Sequence, residues 1–209
     1  MLHRPERLAF LASGTGSNVR AILTAIREKR LGCRAVCLLS DRAKAPALEL
    51  AQAAGLETAV FGRACWGDHA PRADDVLDWL RGQAVDSLVL AGFLRKVPAV
   101  LLEAWPGAIY NIHPALLPSF GGPGMYGSHV HRAVWNAGCR VSGATVHLVD
   151  GIYDHGTILA QASTDLEGAS GPDEVAARVL AVEHRLFADT LERLHRGTLT
   201  VRKESPLHG

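Results

Sequence analysis

Asn111 and His113 stand one residue apart in an Asn-Ile-His-Pro stretch. At the end of a strand both side chains would point to the same side, because side chains alternate along a strand. An amide donor beside an imidazole can stabilise the oxyanion of a tetrahedral intermediate and exchange protons near neutral pH. The pair predicts a catalytic site, and a buried histidine with a satisfied ring is the structural alternative. Asp154, in a later loop, could favour the charged form of His113 if the fold brings the two together.

A glycine-rich turn, Ser-Gly-Thr-Gly-Ser-Asn at 13–18, separates the first apolar run from a helical pattern. Unpaired backbone N–H groups and the positive end of the helix dipole would face an anion there, so the turn predicts a phosphate site. No Gly-Lys-Ser/Thr follows, and Val19 occupies the third glycine position of the dinucleotide fingerprint. Two alternatives stay open. Ser17 or Asn18 could simply cap the helix, or Asp41 could bind the ribose of a nicotinamide cofactor.

Other candidate residues are less specific. Zinc could be held by His129, His131 and His147, but no Asp, Glu or Cys in that region has a recognised ligand spacing, and we predict no metal. A seryl nucleophile is disfavoured because no Gly-x-Ser-x-Gly elbow follows a strand. Glu183, in the last helical pattern, could bind the hydroxyls of a ligand, with a solvated helix face as the alternative.

Short apolar runs alternate with amphipathic segments over residues 7–112, the rhythm of βα units that build a parallel sheet. The runs predict strands at 8–12, 35–39, 57–61, 87–90 and 108–112, with helices at 18–28, 46–54, 72–80 and 98–103. A Pro- and Gly-dense stretch at 114–127 is too long for an ordinary connection and is typical of a loop that lines a site. After it we expect a short helix at 129–136, two strands at 143–149 and 157–162 that could pair antiparallel, and a helix at 172–195.

These elements predict one α/β domain over residues 1–209. Its sheet would be Rossmann-like, open and mostly parallel, with helices on both faces and an antiparallel C-terminal extension. Asn111 and His113 fall at the carboxyl end of the fifth strand, where such sheets bind ligands. The last residues, 204–209, are typical of a frayed tail.

Composition narrows the class of protein further. The 209 residues include 22 Lys and Arg against 21 Asp and Glu, so no broad basic field is available to bind a nucleic acid. Charged or turn residues interrupt every apolar stretch before it reaches membrane-spanning length. Four cysteines without paired CxxC units, and an N-terminus without a signal peptide, predict a cytoplasmic protein with reduced thiols.

The chain resembles the phosphoribosylglycinamide (GAR) formyltransferase family in four stretches, which follow the family's order. They are Leu-Ala-Ser-Gly-Thr-Gly-Ser-Asn at 11–18, Leu-Val-Leu-Ala-Gly-Phe-Leu-Arg at 88–95, Asn-Ile-His-Pro-Ala-Leu-Leu-Pro at 111–118, and Gly-Ala-Thr-Val-His-Leu-Val-Asp at 143–150, continuing to Asp154. The resemblance implies the formyltransferase fold and formyl transfer from 10-formyltetrahydrofolate to the amine of GAR in purine biosynthesis, without a metal. The chain departs from the family at Ala115, where serine is common, and in the long glycine-rich loop 121–127.

The resemblance also implies residue roles. Catalysis would fall to Asn111, His113 and Asp154. GAR would be bound by Gly16, Ser17 and Asn18 at its phosphate, and by Leu180, Ala181, Val182 and Glu183 at its sugar and glycinamide. The folate would contact Arg72, Leu94, Arg95, Lys96, Val97, Asn111, Asp150, Gly151, Ile152, Tyr153 and Asp154. The half at about 1–112 would thus carry the phosphate and GAR site, and the half at about 113–209 the folate site.

Small-molecule substrates are therefore the expected partners of a monomer or homodimer, with neither nucleic acid nor membrane. One alternative is a formyltetrahydrofolate hydrolase, which shares the Asn-His-Asp trio but delivers the formyl group to water. Another is a non-catalytic nucleotide-binding module, weakly favoured by Asp41 and the Gly-x-Gly turn.

Overall fold

The computed structural model describes residues 2–200, and the predicted tail at 204–209 lies outside them. The strands are β1 (Arg7–Leu11), β2 (Arg34–Ser40), β3 (Glu57–Val60), β4 (Ser87–Leu90), β5 (Ile109–His113), β6 (Val141–Leu148) and β7 (Ile158–Asp165). The α-helices are α1 (Ser17–Arg27), α2 (Pro46–Ala53), α3 (Ala73–Gly82), α4 (Ala99–Ala104), α5 (Ser128–Asn136) and α6 (Pro172–His195), and a 3₁₀ turn covers Arg63–Cys65. Each predicted element is present within a few residues of its predicted bounds.

The seven strands form one sheet in the order β3-β2-β1-β4-β5-β6-β7. β1 to β5 pair parallel to one another, whereas β6 pairs antiparallel to β5 and β7 pairs antiparallel to β6. The predicted fold class, a mostly parallel α/β sheet with an antiparallel C-terminal extension, is confirmed.

Alternating side chains of the central strand, β1, pack into two different cores. Leu8 and Phe10 of β1 pack into one cluster with α1, α2 and α6, while Ala9 and Leu11 pack into a second cluster with α3 and α4. A strand buried on both faces therefore carries an almost continuous apolar run, as in parallel sheets covered by helices. A third, smaller cluster joins α5 to the start of α6. No helix within residues 2–200 combines the length and apolar character needed to cross a membrane.

Candidate active site

A cavity of about 440 Å³ opens at the carboxyl ends of the parallel strands. Its walls come from the ends of β4, β5 and β6, from the loops that follow β1, β4, β5 and β6, and from a few residues of α1, α5 and α6. The central strands of a parallel sheet end at the same edge, so residues far apart in sequence meet there. The glycine-rich loop supplies part of the wall through Gly122, Pro123, Gly124, Met125, Tyr126 and Gly127.

His113 and Asp154 meet inside this cavity. Nδ1 of His113 lies 3.4 Å from Oδ1 of Asp154, and Nε2 of the same ring donates to the carbonyl oxygen of Phe120 at 2.8 Å. The histidine is 3% exposed, so its ring is held between two acceptors. The predicted encounter of these two side chains is thus observed.

Two features fix the position of the Asp154 carboxylate: the backbone conformation of Asp154 itself and a hydrogen bond from a neighbouring N–H group. Its φ of 55° places it in the left-handed region, and Gly122 N–H donates to Oδ2 at 2.9 Å. Burial alone would raise the pKa of this carboxyl, but the hydrogen bond from His113 heads the opposing effects, and together they hold the pKa well below its usual range. Asp154 is therefore an anion next to His113 across the neutral pH range.

His147 also belongs to the site, in a role that its position in the sequence did not indicate. Its Nδ1 lies 2.8 Å from the carbonyl oxygen of Leu148. Because a carbonyl can only accept, Nδ1 carries the proton and Nε2 is left to accept. The Asn111 amide nitrogen lies 3.0 Å from Nε2, so the ring orients the Asn111 amide. The feature that could have revealed this role is the pairing register of β5 with β6, which places Asn111 opposite His147.

The turn after β1 also reaches the cavity, through residues 14–18. Gly16 occupies the N-cap of α1 with φ 74°, and no side chain caps the helix, so the interpretation of Ser17 or Asn18 as a cap is wrong. Instead, the buried Asn18 side chain donates to Oε2 of Glu183 at 2.9 Å. Burial raises the pKa of Glu183, and the hydrogen bond from Asn18 opposes that rise. Asn18 and Glu183 thereby join α1 to α6 at the cavity wall.

Asp41 does not line the cavity. Its side chain is 0% exposed and its Oδ2 accepts a hydrogen bond from Nε of Arg95 at 2.7 Å. A carboxylate engaged in this way inside the protein is not available to the ribose of a nicotinamide cofactor.

The remaining candidates divide into two groups. Those that line the cavity are Leu94, Arg95, Lys96, Val97, Asn111, Asp150, Ile152, Tyr153 and Asp154 from the folate set, and Gly16, Ser17, Asn18 and Glu183 from the GAR set. Those outside the lining are Arg72, Gly151, Leu180, Ala181 and Val182. Arg72 pairs with Asp75 on α3, and Val182 packs in the first core cluster.

Two other features bear on the site. Within residues 2–200, no three His, Cys, Asp or Glu side chains gather in a way that could hold a metal ion. Ala115 is fully buried in the third cluster with Val130 and Val134, and it is not part of the cavity lining. A serine there would have to find a hydrogen-bond partner inside that cluster.

Comparison with known proteins gives a consistent result. A family model described as formyl transferase matches residues 6–191. The chain is 38% identical, over 96% of its length, to a chloroplastic phosphoribosylglycinamide formyltransferase from Vigna unguiculata, and it spans only 64% of that relative. It is 32% identical to the phosphoribosylglycinamide formyltransferase of Bacillus subtilis, over 90% of this chain and 94% of that protein. Among solved structures, glycinamide ribonucleotide transformylase 1 from Symbiobacterium toebii is 33% identical with a TM-score of 0.86, covering 95% of this chain and 92% of that one.

Proposed function

This chain belongs to the formyl transferase family, and we propose that it transfers the formyl group of 10-formyltetrahydrofolate to the amine of GAR. The products would be formyl-GAR and tetrahydrofolate, a step of purine biosynthesis. The observation that carries the proposal is the convergence of His113, Asp154 and Asn111 in one cavity with the turn at 14–18. A phosphate-binding turn and an oxyanion-stabilising pair in the same cavity suit a phosphorylated acceptor and an acyl donor.

The chemistry assigned to these residues is direct acyl transfer. The GAR amine attacks the formyl carbon, and His113 and the Asn111 amide hold the oxygen on which negative charge develops. Asp154 keeps the imidazole oriented and balances its charge. A proton lost by the attacking amine reaches the departing folate nitrogen as the bond from that nitrogen to the formyl carbon breaks.

The hydrogen bond between His113 and Phe120 adds a requirement to this mechanism. Because Nε2 of His113 donates to the Phe120 carbonyl, the formyl oxygen must replace that carbonyl to receive the same N–H. Asn111 needs no such exchange, since its amide has a second N–H besides the one directed at His147. We propose that entry of the formyl donor moves the backbone at Phe120 away from the imidazole.

Substrate placement follows from the cavity walls. GAR would lie with its phosphate at Gly16 and Ser17 and its sugar near Glu183, and the folate would lie between 94–97 and 150–154. The glycine-rich loop would form the wall that faces both substrates.

The test is an absorbance assay of deformylation with the donor analogue 10-formyldideazafolate, with and without GAR. Deformylation that requires GAR supports the transferase. An equal rate without GAR favours the hydrolase, and no reaction from folded protein favours a non-catalytic nucleotide-binding module. His113→Ala is the matched variant: kcat should fall by about 10²- to 10⁴-fold, while the Kd for GAR stays unchanged, because the phosphate turn is separate from the imidazole.

Three expectations remain predictions. The division of the domain into a GAR half at 1–112 and a folate half at 113–209 is one. The second is that the chain acts as a monomer or homodimer on small molecules, with neither nucleic acid nor membrane as a partner. The third is the cytoplasmic location, based on the four unpaired cysteines.

A further inference from the structure

We propose that Asp41 is a positioning residue, which holds Arg95 so that the guanidinium presents its terminal N–H groups to the formyl donor. The inference rests on the proposed function and deepens it, since it assigns a buried residue outside the cavity to the binding of one substrate. It starts from the carboxylate itself. A charge removed from water is costly unless a partner compensates it.

Arg95 is the partner that compensates Asp41. Its Nε lies 2.7 Å from Oδ2, whereas the second cation, Arg42, is 3.9 Å away and more than half exposed. The other carboxylate oxygen, Oδ1, is buried and has no hydrogen-bond partner among residues 2–200. The burial of Asp41 therefore depends on Arg95 far more than on any other described group.

Arg95 in turn connects the buried carboxylate to the cavity. Its side chain is 37% exposed and it lines the cavity. Of the described lining residues, Arg95 and Lys96 are the two with a permanent positive charge. With Nε committed to Asp41, the four N–H bonds on the terminal nitrogens remain to bind oxygen atoms of a ligand.

The surroundings of Arg95 indicate the formyl donor rather than GAR. The segment is fixed on both sides of Arg95, because Leu94 N–H donates to Oγ of Ser13 at 3.0 Å and Lys96 pairs with Asp68 at 2.7 Å. Arg95 and Lys96 line the same cavity as Ile152, Tyr153 and Asp154, so this segment and the 150–154 loop border one space. These are the two walls between which the folate is proposed to lie, and a folate carries carbonyl and carboxylate oxygens that a guanidinium binds well.

The alternative is that Asp41 and Arg95 form an ion pair of structural importance only. A double-mutant cycle separates the two roles. Wild type, Asp41→Asn, Arg95→Ala and the double variant are compared by titration calorimetry with 10-formyldideazafolate and with GAR, and by kcat and thermal midpoint. Glu28→Gln is the control, since it removes the carboxylate partner of Arg30 at a place outside the cavity lining.

We expect Asp41→Asn to raise the Kd for the donor analogue about five- to tenfold, as for one loosened charged hydrogen bond. The Kd for GAR should stay constant and kcat should remain within about twofold, because the reacting atoms are untouched. In the Arg95→Ala background, Asp41→Asn should add nothing. Glu28→Gln should leave both Kd values unchanged.

An unchanged donor Kd in Asp41→Asn overturns the positioning role, and so does an equal rise in both Arg95 backgrounds. If Arg95→Ala leaves the buried carboxylate unpaired and the variant does not fold, Arg95→Lys takes its place in the cycle, because it keeps the charge but loses the planar fork. Wild-type protein that fails to bind the analogue rejects the proposed function and the inference together. Wild type that binds it, with Asp41→Asn binding equally well, rejects the inference alone.

Discussion

The His113 imidazole is enclosed by acceptors, and this decides what the site can do. Asp154 faces Nδ1 and the Phe120 carbonyl faces Nε2, so each ring nitrogen is directed at an oxygen that can only accept a hydrogen bond. His147 differs in part, because its Nδ1 faces a carbonyl and its Nε2 faces the Asn111 amide nitrogen at 3.0 Å, with Oδ1 of Asp154 farther away at 3.7 Å. One histidine is thus placed to offer N–H groups and the other to orient an amide, although both contribute to the same cavity.

Asp154→Asn should show how much the charge of Asp154 contributes to stability, through the pH dependence of the free energy of unfolding. The folded-state pKa of Asp154 lies below the ordinary value of 3.8, so the carboxylate stabilises the fold fully above pH 3.8 and loses its contribution as the pH falls through the folded pKa. We expect the variant to unfold with a free energy about 1–3 kcal/mol lower at pH 7. Urea titrations from pH 7 to pH 3 should show the difference from wild type shrinking at the acid end. Asp189→Asn, at an exposed position on α6, should show no difference at any pH, and a constant deficit for Asp154→Asn would point to lost packing instead.

Asn18→Asp should separate stability from substrate binding. The new carboxylate would lie against Glu183 in a buried site, so the thermal midpoint should fall by the equivalent of about 1–3 kcal/mol. Adding Glu183→Gln restores a donor and removes the repulsion, and the midpoint should recover. GAR affinity should stay low in Asn18→Asp and in the double variant, because a carboxylate still faces the phosphate. Equal midpoints for the two variants would contradict the observed contact.

Residue types and spacing predicted part of this site and could not predict the rest. Asn111 and His113 share a strand face, so their joint projection follows from sequence alone. The contact between Asn111 and His147 spans 36 residues, and that between Arg95 and Asp41 spans 54. Both depend on which strand ends are neighbours in the sheet. Spacing alone therefore offers His147 only as a candidate zinc ligand, in a region where no metal is predicted, and Asp41 only as an alternative ligand of a ribose.

For the secondary-structure elements, the apolar runs predict where each strand lies better than they predict the residues at which it begins and ends. β6 begins at Val141, two residues before its predicted start, and β7 extends to Asp165, three residues beyond its predicted end. Alternate residues of β7 are exposed, so polar positions at its end carried no apolar signal. The parallel strands, buried on both faces, gave the clearest runs.

Gly16→Ala tests how two elements form the phosphate turn. A Cβ at this position would lie 2.9 Å from Cβ of Ala47 on α2, and its φ of 74° disfavours any L side chain. α1 and α2 would have to separate, so we expect the free energy of unfolding to fall by about 1–3 kcal/mol. Gly62→Ala, where a Cβ meets nothing within 4 Å, is the matched control in urea unfolding. Equal stability of the two variants would show that the α1–α2 approach can relax without cost.

Across residues 2–200, one sheet carries a large core on each face, a smaller cluster joins α5 to α6, and the cavity lies at the carboxyl ends of the parallel strands. α6 packs its apolar side against the first core and also carries Glu183 to the cavity wall. The trio is drawn from β5 and the β6–β7 loop, which belong to the parallel and antiparallel parts of the sheet. Precise placement of the trio therefore depends on the two parts behaving as a single unit.

Phe187→Ala tests whether the two faces of the sheet unfold as a single cooperative unit. Phe187 is fully buried in the first core, and its truncation should lower the free energy of unfolding by about 3–5 kcal/mol. Trp66 and Trp105 lie in the second core, on the opposite face of the sheet, so tryptophan fluorescence mainly reports the face that is not mutated. If the shared sheet couples the faces, fluorescence and far-UV circular dichroism should give one coincident transition, shifted equally in the variant. Leu101→Ala, in the second core, should shift both signals in the same way, whereas separate transitions for the two probes would show that each face unfolds on its own.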